Sequence, residues 1–126
     1  MKSGTSAAIR FVIVFAMGLV VSTPLQAHTK LEQTQPADGA TVSVSPSEIQ
    51  LSFDQAVDLK VSKIEVTGPS GKVAVEPARL TGPKALVAKV MATLPDAAYT
   101  VRWQTAAADD GHVSKGEFKF TVKQAH

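Results

Sequence analysis

Apolar residues in this chain recur at every second position in short runs, and nowhere at helical spacing over a useful length. Ile49, Leu51 and Phe53 alternate with polar neighbours, and Leu86, Ala88 and Val90 do the same. So do Tyr99, Val101 and Trp103, and Phe118, Phe120 and Val122. Period-two alternation puts every second side chain on one face of a strand, so each run is half-buried β-structure. Turn residues separate the runs: Pro36-Ala37-Asp38-Gly39, Gly68-Pro69-Ser70-Gly71 and Leu94-Pro95-Asp96. Adding Lys30 to Gln35, Val61 to Val66 and Lys72 to Glu76 gives seven short strands. This pattern predicts an all-β, seven-stranded Greek-key β-sandwich or barrel, Ig-like or cupredoxin-like in kind.

The first residues stand apart from this pattern. Lys2 and Arg10 precede an uncharged apolar run from Phe11 through Val21, and a polar segment ends at the small residue Ala27. These are the three regions of a secretory leader. Eleven residues at about 1.5 Å each fall well short of a hydrocarbon core roughly 30 Å thick. The expected organisation is a leader over residues 1–27, cut after Ala27, and one exported domain over residues 28–126.

Export changes how composition reads. Of thirteen basic residues, Lys2 and Arg10 belong to the leader, leaving eleven against eleven acidic residues that all follow residue 27. The mature domain is formally neutral, which removes the basic footprint of nucleic-acid binding. There is no cysteine, so stability comes from packing, and thiolate metal sites and thiol nucleophiles are excluded. Met91 is the one methionine beyond the leader, too few for a thioether Cu(I) cluster. No Ser/His/Asp or paired-carboxylate arrangement suggests a hydrolase.

Processing after Ala27 would make His28 the chain start. A terminal histidine offers an α-amino nitrogen and an imidazole nitrogen within one chelate ring, once the amine, with a free pKa of about 7.7–8.0, has lost its proton. Far downstream, Asp109-Asp110-Gly111-His112 lies between the last two strands. Asp110 and His112 are two apart and would share a side in extended chain. If the seven strands alternate in direction, the start of the first and the loop before the seventh fall at one end. His28, Asp110 and His112 together would supply a nitrogen-rich N/O set of the kind Cu(II) favours. The plainer readings are also open: Asp-Gly between apolar runs is a hairpin turn signal, and His112 a solvated loop residue. Asp109 is expected to serve the turn or to support a ligand, and Lys123 to His126 to be a frayed tail. Tyr99, at the entry to the sixth strand, reads as either a tyrosine corner or an ordinary half-buried tyrosine, and Trp103 as core.

The mature chain also resembles the CopC-type family of periplasmic copper resistance domains (CopC/PcoC/YobA-like). The resemblance is carried by His28 with Leu31 three positions on, Gln35-Pro36-Ala37-Asp38-Gly39-Ala40 and Ile49-Gln50-Leu51-Ser52-Phe53. It continues through Leu94-Pro95, Tyr99-Thr100-Val101-Arg102-Trp103, and Asp110-Gly111-His112 followed by Gly116, Phe118 and Phe120. It implies one Cu(II) per chain, held by the terminal amine and imidazole of His28, the Asp110 carboxylate and the His112 imidazole. It also implies a monomeric, non-enzymatic role in copper homeostasis, with a separate CopD-like inner-membrane copper transporter as partner. The Met-rich Cu(I) site of some members does not carry over, and Val113 stands where proline is common. Two alternatives compete: a metal-independent Ig-like module of an exported assembly, and a copper oxidative enzyme of the polysaccharide monooxygenase kind. The few aromatic residues read as core rather than as a flat polymer-binding face, which weighs against the second.

Overall fold

The computed structural model describes residues 29–125; the leader, its cleavage point, His28 and His126 lie outside the described residues. The described residues form β1 (Leu31–Gln35), β2 (Thr41–Val42), β3 (Glu48–Phe53), β4 (Lys63–Gly68), β5 (Gly71–Val73), β6 (Arg79–Gly82), β7 (Ala85–Lys89), β8 (Ala97–Ala106) and β9 (Val113–Val122). A single 3-10 turn, Leu59–Val61, precedes β4. No helix among them is long and apolar enough to cross a membrane.

Two sheets form, ordered β1-β3-β7-β6 and β2-β9-β8-β4-β5. Neither closes into a barrel, so the architecture is a sandwich. The alternating residues face inward as their period requires: Ile49, Leu51, Phe53, Leu86 and Ala88 from one sheet, with Val90 just past the end of β7, join Ile64, Val66, Tyr99, Val101, Trp103, Phe118, Phe120 and Val122 from the other in one core. With no disulfide among the described residues, this apolar interior carries the stability, at about 1.5–3 kcal/mol for each fully buried large side chain. Across the β8–β9 ladder Tyr99 pairs with Phe120, Val101 with Phe118, and Trp103 with Gly116. The Tyr99 and Phe120 rings stack at 5.5 Å, and Trp103 meets Phe53 of the facing sheet edge-on at 5.3 Å. The indole lies so close over Gly116 that a Cβ there would stand 2.6 Å from its Cζ2. A glycine opposite the tryptophan is therefore a packing requirement.

Two strands beyond the seven expected appear, β2 and β6. Thr41–Val42 is too short to show any period, and Arg79–Gly82 is largely exposed; each exists through its neighbour, β2 parallel to β9 and β6 antiparallel to β7. Neither disturbs the alternation of the other seven, because each runs in the direction of the strand before it. Val61 closes the 3-10 turn instead of joining β4. The expected frayed tail is corrected for its first half. The Lys123 N–H donates to the Val42 carbonyl, while Gln124 bonds Asp96 and the Leu94 carbonyl. Tyr99 makes the tyrosine corner, its hydroxyl donating to the Pro95 carbonyl at 2.6 Å.

Candidate metal centre

The long β8–β9 hairpin carries the loop that holds Asp110 and His112. Its last paired rung is Ala106 with Val113, after which the Ala107 N–H donates to the His112 carbonyl at 3.0 Å. The Gly111 N–H donates back to the Ala107 carbonyl at 2.9 Å, closing the turn. Gly111 sits at φ 73°, the left-handed region where a side chain is strained, although open space surrounds it. Backbone conformation, not crowding, therefore selects the glycine between the two candidate ligands.

Asp110 and His112 are related by a turn and not by extended chain, which corrects the simple alternation picture. The Asp110 Oδ1 accepts the His112 N–H at 2.9 Å, and the Asp109 Oδ1 accepts the Asp110 N–H at 2.7 Å. Asp109 is thus a turn residue. Asp110 uses one oxygen to fix the backbone of His112, and a carboxylate has acceptor capacity on its other oxygen as well. Asp110 is exposed and His112 half-buried.

The segment after β3 braces this loop. Val57 bridges Ala107, the Ala108 N–H donates to the Ala56 carbonyl at 3.0 Å, and the Asp58 N–H donates to the Ala106 carbonyl at 2.9 Å. The same segment holds the start of β1. The Lys30 N–H donates to the Asp54 Oδ1 at 3.0 Å, and the Asp54 N–H donates to the Lys30 carbonyl at 3.0 Å. Thr29 is buried, with 4 % of its surface exposed. A continuous run of backbone bonds therefore leads from Lys30 through residues 54–57 to the 107–112 loop, and the start of β1 lies at the loop's end of the sandwich.

Asp54 is the residue that reading the sequence did not single out. The only trace it leaves there is a carboxylate directly after an alternating run, a common strand-ending signal with no metal connotation. Among the described residues no three histidine, aspartate or glutamate side chains gather around one point. Asp110 and His112 therefore belong to no cluster of three such side chains among the described residues.

A family model described as the CopC domain matches residues 31–123. Copper resistance protein C of Pseudomonas syringae pv. tomato is 34 % identical over 121 residues, covering 90 % of this chain and 94 % of that protein. Copper resistance protein C of Xanthomonas campestris pv. juglandis is 31 % identical over 119 residues, covering 88 % and 92 %. In three dimensions the chain is similar to the crystal structure of CopC from Methylosinus trichosporium OB3b, with a TM-score of 0.72 and 28 % identity over 79 % of this chain and 97 % of that one. It is also similar to PcoC of Escherichia coli, described as a methionine-rich copper resistance protein, with a TM-score of 0.69 and 31 % identity over 77 % of this chain and all of that one. The methionine richness is not shared, since only Met91 follows the expected leader.

Proposed function

Because this chain belongs to the CopC family of copper resistance proteins, we propose that it holds one Cu(II) through the amine and imidazole of a processed N-terminal His28, the carboxylate of Asp110 and the imidazole of His112. The donor set fits the metal: three nitrogens and one carboxylate oxygen suit a tetragonal Cu(II) ion, and nothing in it favours Cu(I) over Cu(II). The observation that carries the reading is the double hydrogen bond between Lys30 and Asp54, on the segment that also braces the 107–112 loop. Thr29, the first described residue, is buried, and Lys30 is fixed at that end.

In this reading copper is cargo. The protein is a periplasmic, monomeric carrier or buffer of one domain, residues 28–126, freed of its leader by cleavage after Ala27. A separate CopD-like inner-membrane transporter is its natural recipient. The role of the chain is to present four donors with little rearrangement: Gly111 sets the loop, Asp110 orients His112, and Asp54 holds the chain start. Binding displaces protons from the amine and from any protonated imidazole, so affinity falls as pH falls.

His112→Ala tests the set directly. The variant should retain one Cu(II) on the amine and His28 imidazole, with an altered electron paramagnetic resonance spectrum and fewer coupled nitrogens. A spectrum identical to that of the unsubstituted protein would remove His112 from the site.

A further inference from the structure

The outward side of the five-stranded sheet carries a charge pattern that neither the core nor the ligand loop uses. Strand pairing fixes which side chains stand together there. Lys63, Gln104 and Lys115 form one row across β4, β8 and β9, and Glu65, Arg102 and Glu117 form the next. Thr67, Thr100 and Lys119 follow, with Lys72 of β5 beside Thr67. These residues alternate with Ile64, Val66, Val101, Trp103, Phe118 and Phe120 of the core, so they face away from it. Five of them are basic and two acidic, a net +3 on one face of a domain whose eleven basic and eleven acidic residues otherwise cancel. Both acids are already matched, Glu65 by Lys72 at 3.6 Å and Glu117 by Arg102 at 3.3 Å. Lys63, Lys115 and Lys119 make no ion pair among the described residues.

Strands two apart in a sheet stand about 10 Å from each other, and four residues along β9 span about 14 Å. The three unpaired lysines are therefore spread over the sheet. The groove lined by Lys63, Arg102, Gln104 and Lys115 among others holds about 210 Å³. That is below the roughly 300–1,000 Å³ of small-molecule pockets, which points to contact with a surface. Apolar side chains border the lysines on the side of the 107–112 loop. Ser62 turns inward, its Oγ 2.7 Å from that of buried Thr105, while Val61 before it is exposed. Val113, two residues before Lys115, pairs with Ala106 on the next rung and is exposed as well. With Leu59 these make three of the six large apolar side chains exposed among the described residues, so half of them gather here. Aliphatic groups beside unpaired lysines suit an anionic bilayer: the amines reach headgroup phosphates while the stems and the aliphatics enter the interface. An acidic protein would need carboxylates matched to these wide spacings; a bilayer presents anionic headgroups everywhere.

We propose that the outward face of the β2-β9-β8-β4-β5 sheet docks this protein, weakly and reversibly, on anionic lipid headgroups. The 107–112 loop follows directly from the Ala106–Val113 rung and lies at the rim of that contact. Docking requires the exported, leader-free protein and none of the proposed copper ligands, so it is separable from copper binding.

The test is co-sedimentation of metal-free protein, residues 28–126, with vesicles; the leader is left off because its apolar run would itself bind lipid. The protein should bind vesicles of phosphatidylglycerol and phosphatidylcholine in equal parts but not phosphatidylcholine alone, and about 0.5 M NaCl should release it. Each lysine at an anionic surface contributes about fivefold, so Lys63→Gln/Lys115→Gln/Lys119→Gln should weaken binding by about a hundredfold. Arg79→Gln/Lys84→Gln/Lys89→Gln removes the same charge from the β6–β7 hairpin of the other sheet and should stay within about threefold of wild type. No binding to the mixed vesicles, or equal losses in the two triple variants, would overturn the proposal. So would binding to polyglutamate without binding to the mixed vesicles, in favour of an acidic polypeptide. The absence of cysteine allows a second measurement that keeps every lysine. A fluorophore on Thr67→Cys should be shielded from an aqueous quencher by the mixed vesicles, and one on Gln50→Cys, exposed on the other sheet, should not. Equal shielding at the two positions would overturn the proposal.

Discussion

Asp54 and Lys30 are joined by two hydrogen bonds, side chain to backbone N–H and backbone N–H to carbonyl, both at 3.0 Å. They tie the start of β1 to the segment that braces the candidate ligand loop. Asp54→Ala removes the acceptor for the Lys30 N–H and should destabilise the metal-free protein by about 1 kcal/mol. Cu(II) affinity should fall roughly tenfold, as the chelating chain start loses its anchor. Asp54→Asn keeps an oxygen acceptor and should fall between the two. Denaturant unfolding and a competition titration measure both effects; a stability loss with unchanged copper affinity would separate Asp54 from the site.

The proposed site gives Asp110 two roles that substitution can part. Asp110→Asn retains an oxygen to accept the His112 N–H but loses the anionic donor, so the fold should be unchanged and Cu(II) binding weaker by roughly tenfold. Asp110→Ala loses the turn bond as well and should bind more weakly still. Equal affinities for Asn and wild type would mean that the carboxylate acts only on the loop.

The tyrosine corner makes a prediction at high pH. Burial, with a smaller contribution from the negative charge of Asp96, raises the Tyr99 pKa above its ordinary 10.0. The folded chain therefore holds its proton more tightly than the unfolded chain does. That stabilisation is fully present below the unfolded value and is lost as pH rises through the raised folded value. Wild-type stability should decline as pH rises above about 10. Tyr99→Phe should lose about 1 kcal/mol at neutral pH with the Pro95 bond, and show a shallower alkaline decline. Parallel declines in both proteins would assign the alkaline transition to other groups.

Much of the fold was legible because burial and period coincide. Ile49, Leu51 and Phe53, or Phe118, Phe120 and Val122, announce both their strand and its inward face. What stayed hidden depends on pairing rather than on pattern: β2 and β6 exist only against β9 and β7. Parity of the seven long-patterned strands already put the start of the first at the end of the last hairpin, and Lys30 lies there. Asp110 and His112 were visible as residue types, but their link through a turn hydrogen bond was not, since it depends on Gly111 entering the left-handed region. Asp54 was invisible because its partner lies 24 residues away and is a backbone N–H, which carries no residue identity.

The central claim is that copper sits on a chain start at His28, and the most direct measurement is a Cu(II) titration of two proteins. One begins at His28, verified by mass; the other carries a single extra residue before it. The account predicts one equivalent of tightly held Cu(II) with nitrogen hyperfine coupling in the first. In the second, affinity should be weaker by about a hundredfold or more, because the amine is moved out of the chelate ring. Equal affinity and identical spectra in the two proteins would contradict it.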